Sequence, residues 1–248
     1  MKRIWMYWDD LELPSSIQKI VDHNKKVLVN WDLVILNKDT VHDYIKEFPK
    51  KYNTLIVQHK SDWIRLYLLK HYGGLWSDIS IIYNDVAKLD ELWEKSHFYE
   101  MTAFYKGGKI KGIHGVIENY FIMSKKNSKL ISLWLDEYEH AIDEGFLTYK
   151  RRILKEGTVL VRSDIYFIHF MCLQHVLQHI KTIPNMNLLD TFDSMLYILK
   201  KCETCKNKVK TKKCKLLRKN CIKKQFKTQK YKLPYIKLPG YLRKYLKF

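Results

Sequence analysis

The chain has 248 residues, 46% of them hydrophobic, and a formal charge of +19. That supplies a core for one α/β domain, or for one domain with an appendage. No apolar run approaches the roughly 18 residues of a membrane span. Residues 200–248 hold 19 Lys and Arg against a single acid, Glu203. The body is therefore close to neutral, and any argument from charge to nucleic acid concerns the tail alone.

Taken in order, Arg3 to Trp8 reads as a first strand, moving into Asp9-Asp10. It lacks the long apolar core and cleavage site of a signal peptide, so the expectation is a cytoplasmic protein in a reducing compartment. Pro14-Ser15-Ser16 predicts a helix start, with Ile17, Ile20 and Val21 on one face. Trp31 to Leu36 predicts a second strand, and Asn37-Lys38-Asp39 a turn into another helix. Strand, helix, strand, helix is the rhythm of a βαβ sheet. Ligands bind beyond the carboxyl ends of such strands, so Trp8, Asp9 or Asp10 could line a crevice. Asn37 and Asp39 could reach into it too, although turn chemistry accounts for both.

The next stretch, Lys60 to Asn84, is the most informative. Leu55, Ile56, Ile64, Leu66, Leu68 and Leu69 recur at helical spacing and predict a helix from about Leu55 to Tyr72. Gly73-Gly74 ends it, because glycine enters the left-handed region without a Cβ penalty. Leu75-Trp76 begins an extended run, with Asp78 at its end. Asp62 and Arg65, three apart, share a helix face. An exposed pair of that kind is common and worth little. It is the order of the whole stretch that sets it apart.

Ser-Asp-x-x-Arg, an apolar helix, Tyr-Gly-Gly, an aromatic and Asp-x-Ser together resemble the donor site of the capsular-polysaccharide-synthesis and DXD-type sugar transferases. The large clostridial glucosylating toxins are distant relatives of that group. The resemblance implies a GT-A-like, Rossmann-like α/β fold that binds a nucleotide-sugar, most simply UDP-linked. By position Asp62 and Arg65 would contact the ribose and sugar. Asp78 would stand as the first Asp of the DXD, holding Mn²⁺ or Mg²⁺ on the diphosphate. Ser80 replaces the second Asp, and a neutral hydroxyl is the weaker ligand, so metal dependence rests mainly on Asp78. The aromatic at the end of the first strand, Trp8, matches the residue that stacks on uracil in the toxins; a core aromatic there is the competing reading. The chemistry is coherent: a divalent ion with oxygen ligands neutralises the diphosphate leaving group, and an arginine fork holds sugar hydroxyls.

Downstream, Ala87 to Lys95 predicts a short helix and His97 to Phe104 a strand. Lys106-Gly107-Gly108-Lys109 is a turn and not a phosphate loop, since no Lys-Ser/Thr and helix come after it. Glu118 to Lys126 runs into a helix from about Ser128 to Ala141. This resembles a second landmark of the same group, with Asn119 placed to touch donor or acceptor hydroxyls or simply to serve a strand edge. Ser163 to Leu177 resembles a third, with Ser163 as helix cap. His169, His175 and His179 lie in it; the His175/His179 spacing lacks the neighbouring Glu and third ligand of a zinc site, so structural histidines are the preferred reading.

The reading divides the chain into a transferase domain, residues 1–199, and a basic Cys/Lys-rich extension, residues 200–248. Cys202, Cys205, Cys214 and Cys221 lack a second short knuckle, and reduced thiols are preferred to zinc. The final stretch interleaves Lys and Arg with Tyr, Leu, Ile and Phe. That suits peripheral contact with an anionic membrane, in keeping with a glycan or lipid-linked glycan acceptor. The expected activity is hexosyl transfer with retention of configuration. Two alternatives are a degenerate transferase that binds nucleotide or glycan without turnover, supported by Ser80, and a nucleic-acid binder acting through the tail. The latter ranks last, because the body carries no recognisable nucleic-acid-binding motif.

Overall fold

The computed structural model of the protein describes residues 2–107, 115–191 and 235–237. The 199/200 boundary, the four tail cysteines and the second half of the Lys106–Lys109 turn lie outside these residues. In chain order the elements are β1 (Arg3–Tyr7), α1 (Ser15–Val27), β2 (Asp32–Leu36), α2 (Val57–Tyr72), β3 (Gly74–Ser77), β4 (Ile81–Tyr83), α3 (Val86–Ser96), β5 (Met101–Lys106), β6 (Val116–Ser124), α4 (Lys129–Glu144), α5 (Phe146–Lys155), α6 (Ile168–His179), β7 (Met186–Asp190) and β8 (Tyr235–Lys237). The architecture is mixed α/β around a central sheet. Two compact units emerge: residues 1–11, 31–78 and 93–189, and residues 12–30, 79–92 and 190–248.

The first unit holds a six-stranded sheet in the order β2-β1-β3-β6-β5-β7. β1 runs parallel to both neighbours, with Trp5 opposite Val34 on β2 and Trp76 on β3. Ile4, Trp5 and Met6 are fully buried. A parallel strand covered on both faces is written as a continuous apolar run, which is what this sequence shows. Beyond β3 the sheet turns antiparallel, first to β6 and then to β5. The βαβ rhythm of the amino-terminal third therefore governs only three strands.

The link from α2 into β3 fixes the next layer. Gly73 and Gly74 take φ of 67° and 104°, a region that L side chains rarely adopt. A Cβ on Gly74 would lie 2.9 Å from the Arg3 carbonyl, and one on Gly73 2.5 Å from the Lys126 backbone nitrogen. The indole of Trp5 donates to the Gly73 carbonyl at 2.8 Å. The glycine pair thus ends the helix and lets three backbone segments pass at close range. α2, α4, α5 and α6 share the core cluster of this unit, which includes Trp63, Trp134, Tyr138 and Tyr149.

The second unit is built on α1 and β4. Ile17, Ile20 and Val21 are buried as their spacing predicts. Asn24 on α1 uses its amide as a strand edge: Nδ2 donates to the Ile81 carbonyl at 2.8 Å and Oδ1 accepts from the Tyr83 N–H at 3.1 Å. β8 pairs antiparallel with β4, so residues 235–237 of the basic extension form part of this unit.

Local expectations also meet corrections. Asp164, not Ser163, supplies the cap, accepting from the Tyr166 N–H at 2.8 Å at the start of a short 3-10 turn that precedes α6. Asn37 Oδ1 accepts from the Asp39 and Thr40 N–H groups, both at 2.9 Å, so it serves its own turn. That turn leads into a short 3-10 helix, Thr40–Asp43, in place of an α-helix. Among the described residues no helix is long and apolar enough to cross a membrane.

Candidate functional site

Helix α2 carries the unusual feature of the fold. His59, Asp62 and Arg65 recur every three residues and are all buried, each at 5–6% exposure. Polar groups taken from water must find partners inside the protein. Asp62 Oδ1 accepts from Arg65 Nη1 at 2.5 Å and from Asn119 Nδ2 of β6 at 2.8 Å. Asp62 Oδ2 lies 2.9 Å from Nδ1 of His169, the second residue of α6. That last contact is close enough for an ion pair but off the axis of the ring N–H. Burial alone would raise the Asp62 carboxyl; His169 and Arg65 beside it bring it below the ordinary carboxylate value.

Arg65 continues the chain of contacts. Its Nη2 is 3.5 Å from Oδ1 of Asp78, the residue just after β3. Its guanidinium lies over the Trp76 ring, 4.8 Å from the centroid, and the Trp76 indole points its N–H at the same Asp78 oxygen, at 3.4 Å. Asp78 is held in turn by its backbone N–H, which donates to the Tyr120 carbonyl of β6 at 2.8 Å. Its side chain keeps 32% exposure, against 7% for Asp62. One carboxylate is thus an internal hub, and the other stands at the surface of the site.

The sheet explains why these groups meet. Trp5 of β1 pairs with Trp76 of β3. Trp8 and Asp78 therefore lie beyond the carboxyl ends of two adjacent parallel strands. The chain also switches direction there, since β2 and β3 flank β1 on opposite sides. Such a switch point is where open α/β sheets leave room for a ligand. Nearby, a cleft of about 390 Å³ is lined by Tyr7, Asp9, Lys38, Phe48, Tyr52 and Lys60 among others. In it the Tyr7 hydroxyl donates to Asp9 Oδ1 at 2.6 Å.

Buried polar atoms without a hydrogen-bond partner concentrate here. Trp8 Nε1, His59 Nε2, Arg65 Nε and His169 Nδ1 are half of those found among the described residues. Burying such groups unpaired is costly. Burial holds His59 below the ordinary histidine value, with Asp62 opposing the shift.

As for a cation, no group of three or more His, Cys, Asp and Glu is placed to hold one among the described residues. Mg²⁺ is commonly held by one or two carboxylates together with substrate phosphates. The part-exposed Asp78 carboxylate could serve such an ion as one oxygen ligand. Ser80 belongs to the second unit and is 4% exposed.

The structure therefore joins Asp62, Arg65 and Asp78 in one contact chain and sets Trp8 on the neighbouring strand end. Sequence reasoning preferred a structural role for His169 and left Asn119 open between a contact to donor or acceptor hydroxyls and a strand edge. Both prove to be partners of Asp62. The available signal was weak: one polar residue just ahead of an apolar strand, and one histidine opening an apolar helix.

Residues 1–145 match the sequence family described as capsular polysaccharide synthesis protein. O-glycosyltransferase braB of Annulohypoxylon truncatum is 27% identical over 163 residues, covering 57% of this chain and 38% of the relative. O-glycosyltransferase PaGT of Phomopsis amygdali is 24% identical over 164 residues, covering 56% and 38%. The chain thus matches little more than a third of the length of these curated relatives. Among solved structures, the PaToxG glycosyltransferase aligns with a TM-score of 0.49 at 16% identity, over 73% of this chain and 69% of its own. A glycosyltransferase involved in glycosylation of the major capsid of PBCV-1 aligns with a TM-score of 0.46 at 9% identity, over 98% of both chains.

Proposed function

The chain belongs to the capsular polysaccharide synthesis protein family, and on that basis we propose that it is a glycosyltransferase of GT-A type, moving a hexose from a UDP-linked donor to a glycan acceptor with retention of configuration. The names of the two curated relatives point the same way. The observation that carries the proposal is the unbroken run of contacts from Asp62 through Arg65 to Asp78, at the carboxyl ends of parallel strands. It brings a buried guanidinium with an unused N–H next to a half-exposed carboxylate.

In this reading Arg65 holds the sugar hydroxyls and offsets charge on the donor. Asp62 fixes Arg65 and reaches the ribose or sugar with what remains of its acceptor capacity. Asp78 holds Mn²⁺ or Mg²⁺. The ion, when bound, neutralises the diphosphate as the glycosidic bond breaks. Trp8 stacks on the base, and the cleft beside Tyr7 and Asp9 takes the nucleoside. No side chain is assigned as a nucleophile. The acceptor is a glycan or a lipid-linked glycan, and the basic extension, residues 200–248, would bring the enzyme to an anionic membrane surface.

The test is a panel of nucleotide sugars assayed for metal-dependent hydrolysis, with Asp78→Asn as control. Release of UDP by the native chain, lost in the variant, is the expected result. Binding of UDP without any hydrolysis would favour the degenerate transferase, for which Ser80 in place of a carboxylate is the supporting feature.

A further inference from the structure

We propose that His169 is a positioning residue for the sugar of the donor: together with Asn119 it locks the Asp62 carboxylate in the orientation that holds Arg65 towards Asp78. The inference rests on the reading of Asp62, Arg65 and Asp78 as the donor site, but the lock itself can be tested without any donor.

The argument is one of donors and acceptors. Asn119 Nδ2 is 2.8 Å from Asp62 Oδ1 and 2.8 Å from His169 Nε2. An amide nitrogen has two hydrogens and accepts nothing. It therefore donates to both, and His169 Nε2 is an acceptor. A flipped amide would turn its oxygen against the Asp62 carboxylate, so the assignment is not arbitrary. With Nε2 accepting, the ring proton belongs on Nδ1, the atom 2.9 Å from Asp62 Oδ2. Asp62, Asn119 and His169 close a ring of contacts: Asn119 donates to Oδ1, and His169 Nδ1, off the axis of a straight hydrogen bond, stands 2.9 Å from Oδ2.

The three members come from three elements: α2, β6 and α6. Arg65 is the one partner of Asp62 that shares its helix. With that pair alone the carboxylate could turn about its own side-chain axis and carry the guanidinium with it. Donors fixed to a strand and a second helix remove this freedom. The second helix is itself pinned at that point, since the Trp134 indole donates to the His169 carbonyl at 2.7 Å. His169 reaches neither Asp78 nor Trp8 by any contact seen here, so its action passes through Asp62. Misplacing a binding group by about 1 Å can cost on the order of 100-fold in rate, which is why such a group is braced.

Two conservative variants separate positioning from packing. In His169→Asn the amide nitrogen falls near the former Nδ1 and can still donate to Asp62. In His169→Gln the amide falls near Nε2 and reaches Asn119 alone. The expected result is a fall in kcat for donor hydrolysis of at least about tenfold in His169→Gln. His169→Asn should stay within about threefold of the native chain, and UDP affinity by calorimetry within about twofold in both. Equal losses in the two variants, or a loss of UDP binding in step with kcat, would make His169 a packing residue and overturn the proposal. A stability cycle in urea with Asp62→Asn and His169→Gln reads the lock without substrate. Coupling of at least about fivefold in the folding equilibrium is expected, and additive losses contradict the proposal whatever the donor assays give. A native chain that neither binds nor hydrolyses any nucleotide sugar, yet shows this coupling, would overturn the proposed function and leave the lock standing.

Discussion

Asp62→Asn is the sharpest perturbation of the hub, because it removes charge and almost no volume. Two donors hydrogen-bond the native carboxylate, Arg65 Nη1 and Asn119 Nδ2, and His169 Nδ1 stands 2.9 Å from its other oxygen. A carboxamide offers one acceptor oxygen and turns an NH₂ towards whatever faced the other. At least one buried donor must then meet a donor. Arg65, 5% exposed, also loses its nearest counter-charge and keeps only Asp78 at 3.5 Å. Removing one side of a buried ion pair costs about 3–5 kcal/mol. At about 2–4 °C per kcal/mol for a chain of this size, Tm should fall by roughly 10 °C. Thermal unfolding at pH 7.5, monitored by circular dichroism, reads the effect. Lys70→Met is the matched control, since the Lys70–Asp136 pair at 2.8 Å is 26% and 51% exposed and should be worth at most about 1 kcal/mol. If Asp62→Asn melted within about 2 °C of the native chain, Asp62 would not be the ionic centre described here.

The same geometry predicts three further outcomes. Gly74→Ala should destabilise by about 2 kcal/mol or more, because its Cβ would approach the Arg3 carbonyl to 2.9 Å at a φ of 104°; urea unfolding with an unchanged midpoint would contradict this. Trp8→Ala should weaken UDP binding by about tenfold if the indole stacks on the base, at about 1–3 kcal/mol per stacked base, and calorimetry showing equal affinity would remove Trp8 from the site. Acid should destabilise the fold in two windows. His59 and His175 are held below the ordinary histidine value, by burial first in each case, so the unfolded chain takes up protons first as pH falls below about 6.5 and stability drops. Asp62 is depressed as well; its contribution is present above the ordinary carboxylate pKa of about 4 and is lost as pH falls through its lower folded value. A Tm unchanged between pH 7.5 and 5.5 would refute the first window.

How much of this was legible depended on whether the signal was local. Helix α2 and its glycine stop could be read directly, since apolar spacing and two positive-φ glycines are properties of adjacent residues. That Asp62 and Arg65 share a face came from helical geometry; reading them with Asp78 as a donor site came from the resemblance of the whole stretch to the capsular-type transferases. The direction in which β6 pairs with β3 was not legible, because a strand of apolar residues reads the same in either sense. That pairing is what carries Asn119 to Asp62. His169 was invisible for a similar reason: nothing in an apolar helix start announces a carboxylate partner from a distant helix. Helix α5 was a missed opportunity. Tyr149 and Ile153, four apart, are its two buried residues, and that spacing is helical. Ser163 and Asp164 are both good caps, and backbone angles that no composition encodes decide between them.

The central claim is that Asp62, Arg65 and Asp78 act on one nucleotide sugar. Its most direct measurement is UDP release from a panel of UDP-sugars with Mn²⁺ present or chelated, using the native chain and Asp78→Asn. The account predicts metal-dependent release of UDP from at least one donor and a loss of at least about 100-fold in the variant. Release that persists unchanged in Asp78→Asn, or no binding or turnover of any nucleotide sugar by the native chain, would contradict it.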